Sequence, residues 1–195
     1  MPTTDPVTWP ADILLTLRKV GGTGDQGAWL TQAIEYATER PGSGITFTHA
    51  VLVCAGAQCL EATWPKVRYC NIHDYIDGQA KWMLLRVVSL SPDQRNAVVR
   101  EMARLINEPY PIGQLVLDGL DVVFHTRFFA RGLSLPWWAV CSGSVALGYK
   151  RGASYNFRDH QTGKDLPAHA VTPDDLHANA ETWPSDVTVV AGSVL

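Results

Sequence analysis

The sequence predicts an α+β fold in which an antiparallel sheet packs against helices, and three observations predict it. A chain of 195 residues with 46% hydrophobic and 18% charged content suits one sizeable globular core rather than two. Apolar runs of strand length and segments of helical period occur without the regular alternation that a doubly wound parallel sheet requires. Two of the strand-like runs are joined by the small-residue segment Cys54-Ala55-Gly56, the signature of a hairpin. Residues 1–10 read as an N-terminal tail and 11–195 as one domain, with no internal repeat.

The first strand is expected over residues 13–19 and is followed by the turn Gly21-Gly22-Thr23-Gly24. Asp25 caps a helix over 26–39, whose Trp29, Ala33, Ile34 and Ala37 share one face. A hairpin follows, with arms 47–53 and 57–63, and then a strand over 82–90. Ser91-Pro92-Asp93-Gln94 starts a helix running to about Asn107: serine as cap, proline in the first turn, glutamine three residues after the cap. Residues 112–130 read as mostly helical and 140–150 as a short buried helix. Residues 151–170 are polar and form the candidate mobile loop. Thr172-Pro173-Asp174-Asp175 opens a further helix, and 186–190 closes the chain as a strand.

Composition narrows the function classes. The net charge of -3 and the lack of a basic run give no reason to expect nucleic acid as a partner. The longest greasy stretch, 112–135, is interrupted by Asp118, Asp121, His125, Arg127 and Arg131, which argues against a membrane-spanning helix. Met1 to Pro10 has neither the cationic start nor the apolar core of a secretory signal. Four cysteines in a chain of this length do not make a disulfide scaffold. A reduced compartment is expected, with a cytoplasmic or phage-encoded protein as the reading.

The hairpin carries the first chemical signal. With Cys54 to Gly56 as a three-residue loop, glycine takes the left-handed last position. Val53 then opposes Ala57, and His49 opposes Glu61, on one face. A two-residue loop at Ala55-Gly56 would put them on opposite faces. The neighbours Ala50, Val51, Leu52, Leu60 and Ala62 are apolar, so the hairpin is expected to be buried. A hydrogen-bonded His–Glu pair is tolerated there where a lone group would be costly. The plain alternative is a structural polar pair.

The second signal is Cys141, where Trp137-Trp138-Ala139-Val140 gives way to Cys141-Ser142-Gly143-Ser144. In the first turn of a helix, backbone N–H groups favour thiolate, and a neighbouring imidazole favours it further. His49 would activate the thiol, Glu61 would orient the ring, and the Cys141 N–H would help hold a tetrahedral oxyanion. The alternative is a small core hydrophobe.

Taken together, these residues resemble the circularly permuted papain-like branch of the NlpC/P60 superfamily, the YiiX/YaeF-like amidases and peptidases. The likeness rests on Asp12-Ile13-Leu14-Leu15, Thr48-His49-Ala50, Glu61-Ala62, Pro109-Tyr110, Cys141-Ser142 and Thr172-Pro173-Asp174-Asp175-Leu176, in that order. It implies a permuted papain-like fold and a Cys141-His49-Glu61 triad. The implied reaction cleaves an amide or isopeptide bond, with cell-wall peptide among the substrates, through a thiol acyl-enzyme and without a cofactor. Tyr110 and Ser142 are carried over as residues that line the site or help the oxyanion. Ala11 replaces the family's glycine, a change expected to have little consequence.

The expected partner is thus a peptide, muropeptide or acyl substrate. Permuted relatives of the lecithin retinol acyltransferase type transfer acyl groups, but Glu61 stands where they have a second histidine, so amidase or peptidase ranks first. A binding module that keeps the fold without turnover is the alternative from a different class. A metal site built from Cys54, Cys59, Cys70 and His73 is disfavoured because zinc knuckles present tight pairs. Phe124 to Trp138 reads as core before it reads as an acyl groove. Asp118 and Asp121 read as solvated carboxylates, and His125, His160, His169 and His177 as surface residues.

Overall fold

The computed structural model describes residues 6–16, 47, 49–63, 66–77, 81–108 and 141–193. Within them the fold is α+β. Six antiparallel strands form one sheet: β1 (Ile13–Thr16), β2 (His49–Ala55), β3 (Gln58–Thr63), β4 (Lys66–Asn71), β5 (Trp82–Val87) and β6 (Val187–Gly192). Their order across the sheet is β4-β3-β2-β1-β5-β6. The helices are α1 (His73–Ile76), α2 (Pro92–Ala103), α3 (Cys141–Ala153) and α4 (Pro173–Thr182), with a 3₁₀ turn at Ala168–Ala170. No helix among the described residues is long and apolar enough to cross a membrane.

Strand alternation divides the sheet into two faces. Ile13, Leu15, Ala50, Leu52, Leu60, Met83, Leu85 and Val87 bury one face against Val98 and Met102 of α2, Val145, Ala146 and Tyr149 of α3 and Leu176 of α4. Leu14, Val51, Val53, Cys59 and Leu84 lie on the other, where Ile72 and Tyr75 cover them. Val98 also sits where α2 meets α3: a Cβ added at Gly152 would lie 2.4 Å from its backbone N. That helix pair needs glycine for its close approach.

The expected Ser91 capping box forms, and a second one forms at Thr172. Ser91 Oγ accepts from the Gln94 N–H and the Gln94 side chain accepts from the Ser91 N–H; Thr172 and Asp175 repeat the exchange. Helix α2 ends at Ala103, earlier than expected, and the chain turns through Asn107 at φ 69°. Strand β5 stops at Val87 rather than residue 90, whereas α3 continues to Ala153. The polar 151–170 segment is pinned: Phe157 and Leu166 are buried, and the backbones of Arg158 and Asp165 pair in an isolated antiparallel β-bridge. His177 is not a surface residue, because its ring packs edge-on against Phe47 with centroids 5.3 Å apart. His169 is likewise partly enclosed, its Nε2 buried without a hydrogen-bond partner. The expected helices over 26–39 and 112–130, and His125, fall outside the described residues.

The lead-in to β1 is tied down by charge. Buried Asp12 accepts from Arg86 Nε at 2.8 Å, from Arg86 Nη2 at 2.6 Å and from the Trp9 N–H at 2.8 Å. Arg86 in turn lies 4.1 Å from the Trp9 ring centroid. Ala11 adopts φ 64°, the left-handed region that favours glycine. Alanine at this position is therefore not without consequence: an L side chain there costs about 1 kcal/mol relative to glycine. The Tyr149 hydroxyl donates to the Ala11 carbonyl, linking α3 to this strained segment.

Candidate functional site

The hairpin brings His49 and Glu61 together, by a different register from the expected one. Ala55 pairs with Gln58, so the turn is the two residues Gly56-Ala57, with Gly56 at φ 55°. A bulge between Val53 and Ala55 then shifts the pairing, so that Val53 opposes Cys59 and Val51 opposes Glu61. Without the extra residue, the turn's own register would set Leu52 against Glu61 and send His49 to the opposite face. The bulge at Cys54 restores the parity. His49 and Glu61 are thus diagonal neighbours on one face, within reach of side chains of this length.

His49 Nε2 lies 3.1 Å from Glu61 Oε2, and both residues are buried, at 4% and 1% exposure. Sequence reasoning missed two further partners. The Tyr75 hydroxyl donates to the same Oε2, and Arg68 Nε donates to Oε1 at 2.8 Å. Tyr75 also sets its ring 5.7 Å from the His49 ring. Arg68 directly opposes Glu61 across β3 and β4, with half of its side chain in solvent.

Burial by itself would push the Glu61 carboxyl up. The hydrogen bond and charge of His49, then the Tyr75 hydroxyl and the Arg68 guanidinium, outweigh burial and hold it down at about 2. The carboxyl is therefore ionised and accepts only, so the ring nitrogen facing it must carry the proton. His49 is fixed with hydrogen on Nε2, which leaves the Nδ1 lone pair as the basic position of the neutral ring.

Cys141 is the first residue of α3 and is 1% exposed. Helix α3 packs on β2 and β3. Ser142 Oγ donates to the Val171 carbonyl at 2.7 Å, so its hydroxyl anchors the first turn of the helix to the chain ahead of α4. Tyr110 lies outside the described residues.

The other cysteines are free thiols. Burial, then the neighbouring Cys59, pushes Cys54 up to about 12. A hydrogen bond with Cys59, then burial, pushes Cys70 up strongly. Cys59 and Cys70 oppose each other directly across β3 and β4. Among the described residues no group of three or more His, Cys, Asp or Glu side chains is arranged to hold a metal ion. No protein-family model matches this chain, and a comparison with curated proteins finds no match.

Proposed function

We propose that the protein is a thiol hydrolase of the permuted papain-like kind that its sequence resembles, cleaving an amide or isopeptide bond through an acyl-enzyme on Cys141. The observation that carries this reading is the buried His49–Glu61 pair, with its tautomer set by an ionised carboxylate. A thiol nucleophile needs a basic ring nitrogen held in one orientation, and Nδ1 is the nitrogen that the bond to Glu61 leaves for that role.

The body of α3 covers the Ala50/Leu52 face, while His49 and Glu61 share the Tyr75 face. His49 is the first residue of β2, and the acyl-enzyme route requires the thiol to reach the ring around the start of that strand. Nδ1 takes the thiol proton and Sγ attacks the acyl carbon. The carbonyl π pair moves to oxygen, and the Cys141 N–H stabilises the resulting charge. The proton on Nδ1 then passes to the leaving nitrogen as the C–N bond breaks. Water, deprotonated by the same nitrogen, hydrolyses the thioester. Glu61 stays ionised throughout and stabilises the imidazolium.

The second reading, a binding module without turnover, draws on the nearly complete burial of Cys141. Iodoacetamide labelling near pH 7 separates the two. Cys141 is expected to react at least about 10-fold faster than Cys54 or Cys70, which are held as thiols, and His49→Ala is expected to slow it. Equal labelling at all cysteines would leave only the module. A panel of muropeptides, isopeptides and acyl esters, run with wild type and Cys141→Ala, then identifies the scissile bond.

A further inference from the structure

We infer that Thr16 is a further catalytic residue of this site, its hydroxyl donating to the substrate's acyl oxygen as that oxygen becomes negative; the inference rests on the thiol-hydrolase reading. Thr16 ends β1 directly opposite His49. Opposed residues of antiparallel strands share a face, with Cβ atoms about 4.5–5.5 Å apart. Since β1 and β3 flank β2, the imidazole stands between Thr16 on one side and Glu61 on the other. Glu61 occupies Nε2 on the β3 side of the ring, and Thr16 flanks the same ring on the β1 side.

Thr16 is fully buried, and its Oγ1 has no hydrogen-bond partner. Two other buried polar atoms among the described residues share that condition: Arg95 Nη1, which lies 3.7 Å from Asp12 Oδ1, and His169 Nε2 in the 3₁₀ turn. A buried hydroxyl without a partner is costly, and valine would fill the same space in a strand without that cost. The unmet hydroxyl is accounted for when its partner arrives with a ligand, beside the nitrogen that handles the reacting proton. When Sγ bonds to the acyl carbon and the carbonyl pair moves to oxygen, Thr16 O–H and Cys141 N–H share that charge as donors. No proton leaves Thr16.

Two reactions of the same thiol test this. Acylation by 4-nitrophenyl acetate, read as 4-nitrophenolate release, passes through an oxyanion; alkylation by iodoacetamide displaces iodide and does not. Thr16→Val is expected to slow acylation of Cys141 by about 10- to 100-fold, leave alkylation within about 2-fold, and raise Tm by about 2–4 °C through loss of the unmet hydroxyl. Thr16→Ser is expected to keep most of the acylation rate. Equal slowing of both reactions would overturn the inference in favour of a residue that only positions His49, and unchanged acylation would overturn it in favour of a packing residue. If wild type itself is not acylated at Cys141, the underlying hydrolase reading fails and this inference falls with it.

Discussion

Glu61→Gln is expected to lower Cys141-dependent turnover on the order of 10³- to 10⁴-fold while the protein stays folded at neutral pH. The carboxylate fixes hydrogen on Nε2 because it can only accept. An amide in its place offers N–H groups, and one of them donates to Nε2 of a neutral ring that now carries its hydrogen on Nδ1. That tautomer cannot take a proton from the thiol. Iodoacetamide alkylation of Cys141 is expected to slow as well, because it needs the thiolate. Unchanged alkylation and turnover in the variant would show that Glu61 does not set the ring.

The same substitution has a signature in acid. The Glu61 carboxyl, near 4.5 when unperturbed, is held at about 2 in the folded protein. A depressed carboxyl stabilises the fold fully above its unfolded value, and that stability drains away as pH falls from about 4.5 through about 2. The amount is on the order of 3 kcal/mol, because each tenfold change in proton affinity corresponds to about 1.4 kcal/mol. Wild type is therefore expected to lose urea resistance steeply over that window, and Glu61→Gln to show a flatter profile. Parallel profiles would mean that Arg68, Tyr75 and His49 do not hold the carboxylate as their distances imply.

What the sequence made legible here was chemical type more than geometry. The Ser91 capping box could be read because it is a local signal contained within four residues, and the helix start at Thr172 could be read for the same reason. The pairing of His49 with Glu61 was also legible, but through a register that the structure replaces, since a bulge leaves no mark in the order of apolar residues. The even offset survived, so the shared face did too. Tyr75 escaped because α1 has four residues, too few to show a helical period. Arg68 escaped because β4 is an edge strand whose burial does not alternate cleanly. A signal existed all the same: an acid and a base seven residues apart across a short connection are spaced as a directly opposed pair. The left-handed backbone at Ala11 was not read, since alanine there was expected to have little consequence.

Gly152→Ala is expected to be the most disruptive small substitution in the fold, and the reason is backbone against backbone. A Cβ at Gly152 would lie 2.4 Å from Val98 N and 2.6 Å from Ala97 C, atoms of α2 that cannot rotate away. Helix propensity argues the other way by up to about 1 kcal/mol, but Gly152 is next to the end of α3, where that gain is smallest. Overpacking therefore wins, at about 3 kcal/mol or a Tm loss of about 6–12 °C. Gly148, one turn earlier, provides the control. Its added Cβ would meet Val98 O at 3.2 Å and Met102 Cβ at 3.4 Å, a tight fit that a few tenths of an ångström relieves. Gly148→Ala is therefore expected to change Tm by no more than about 3 °C. The two variants differ only in where on the same helix one methyl is added, so a wild-type Tm in Gly152→Ala would refute the close approach of α2 and α3. The loss also extends beyond stability. Helix α3 carries Cys141 at its first residue, is held by Ser142 to Val171 and by Tyr149 to Ala11, and cannot move off α2 without moving the thiol. Folded Gly152→Ala is accordingly expected to show slower Cys141 alkylation than Gly148→Ala at the same temperature.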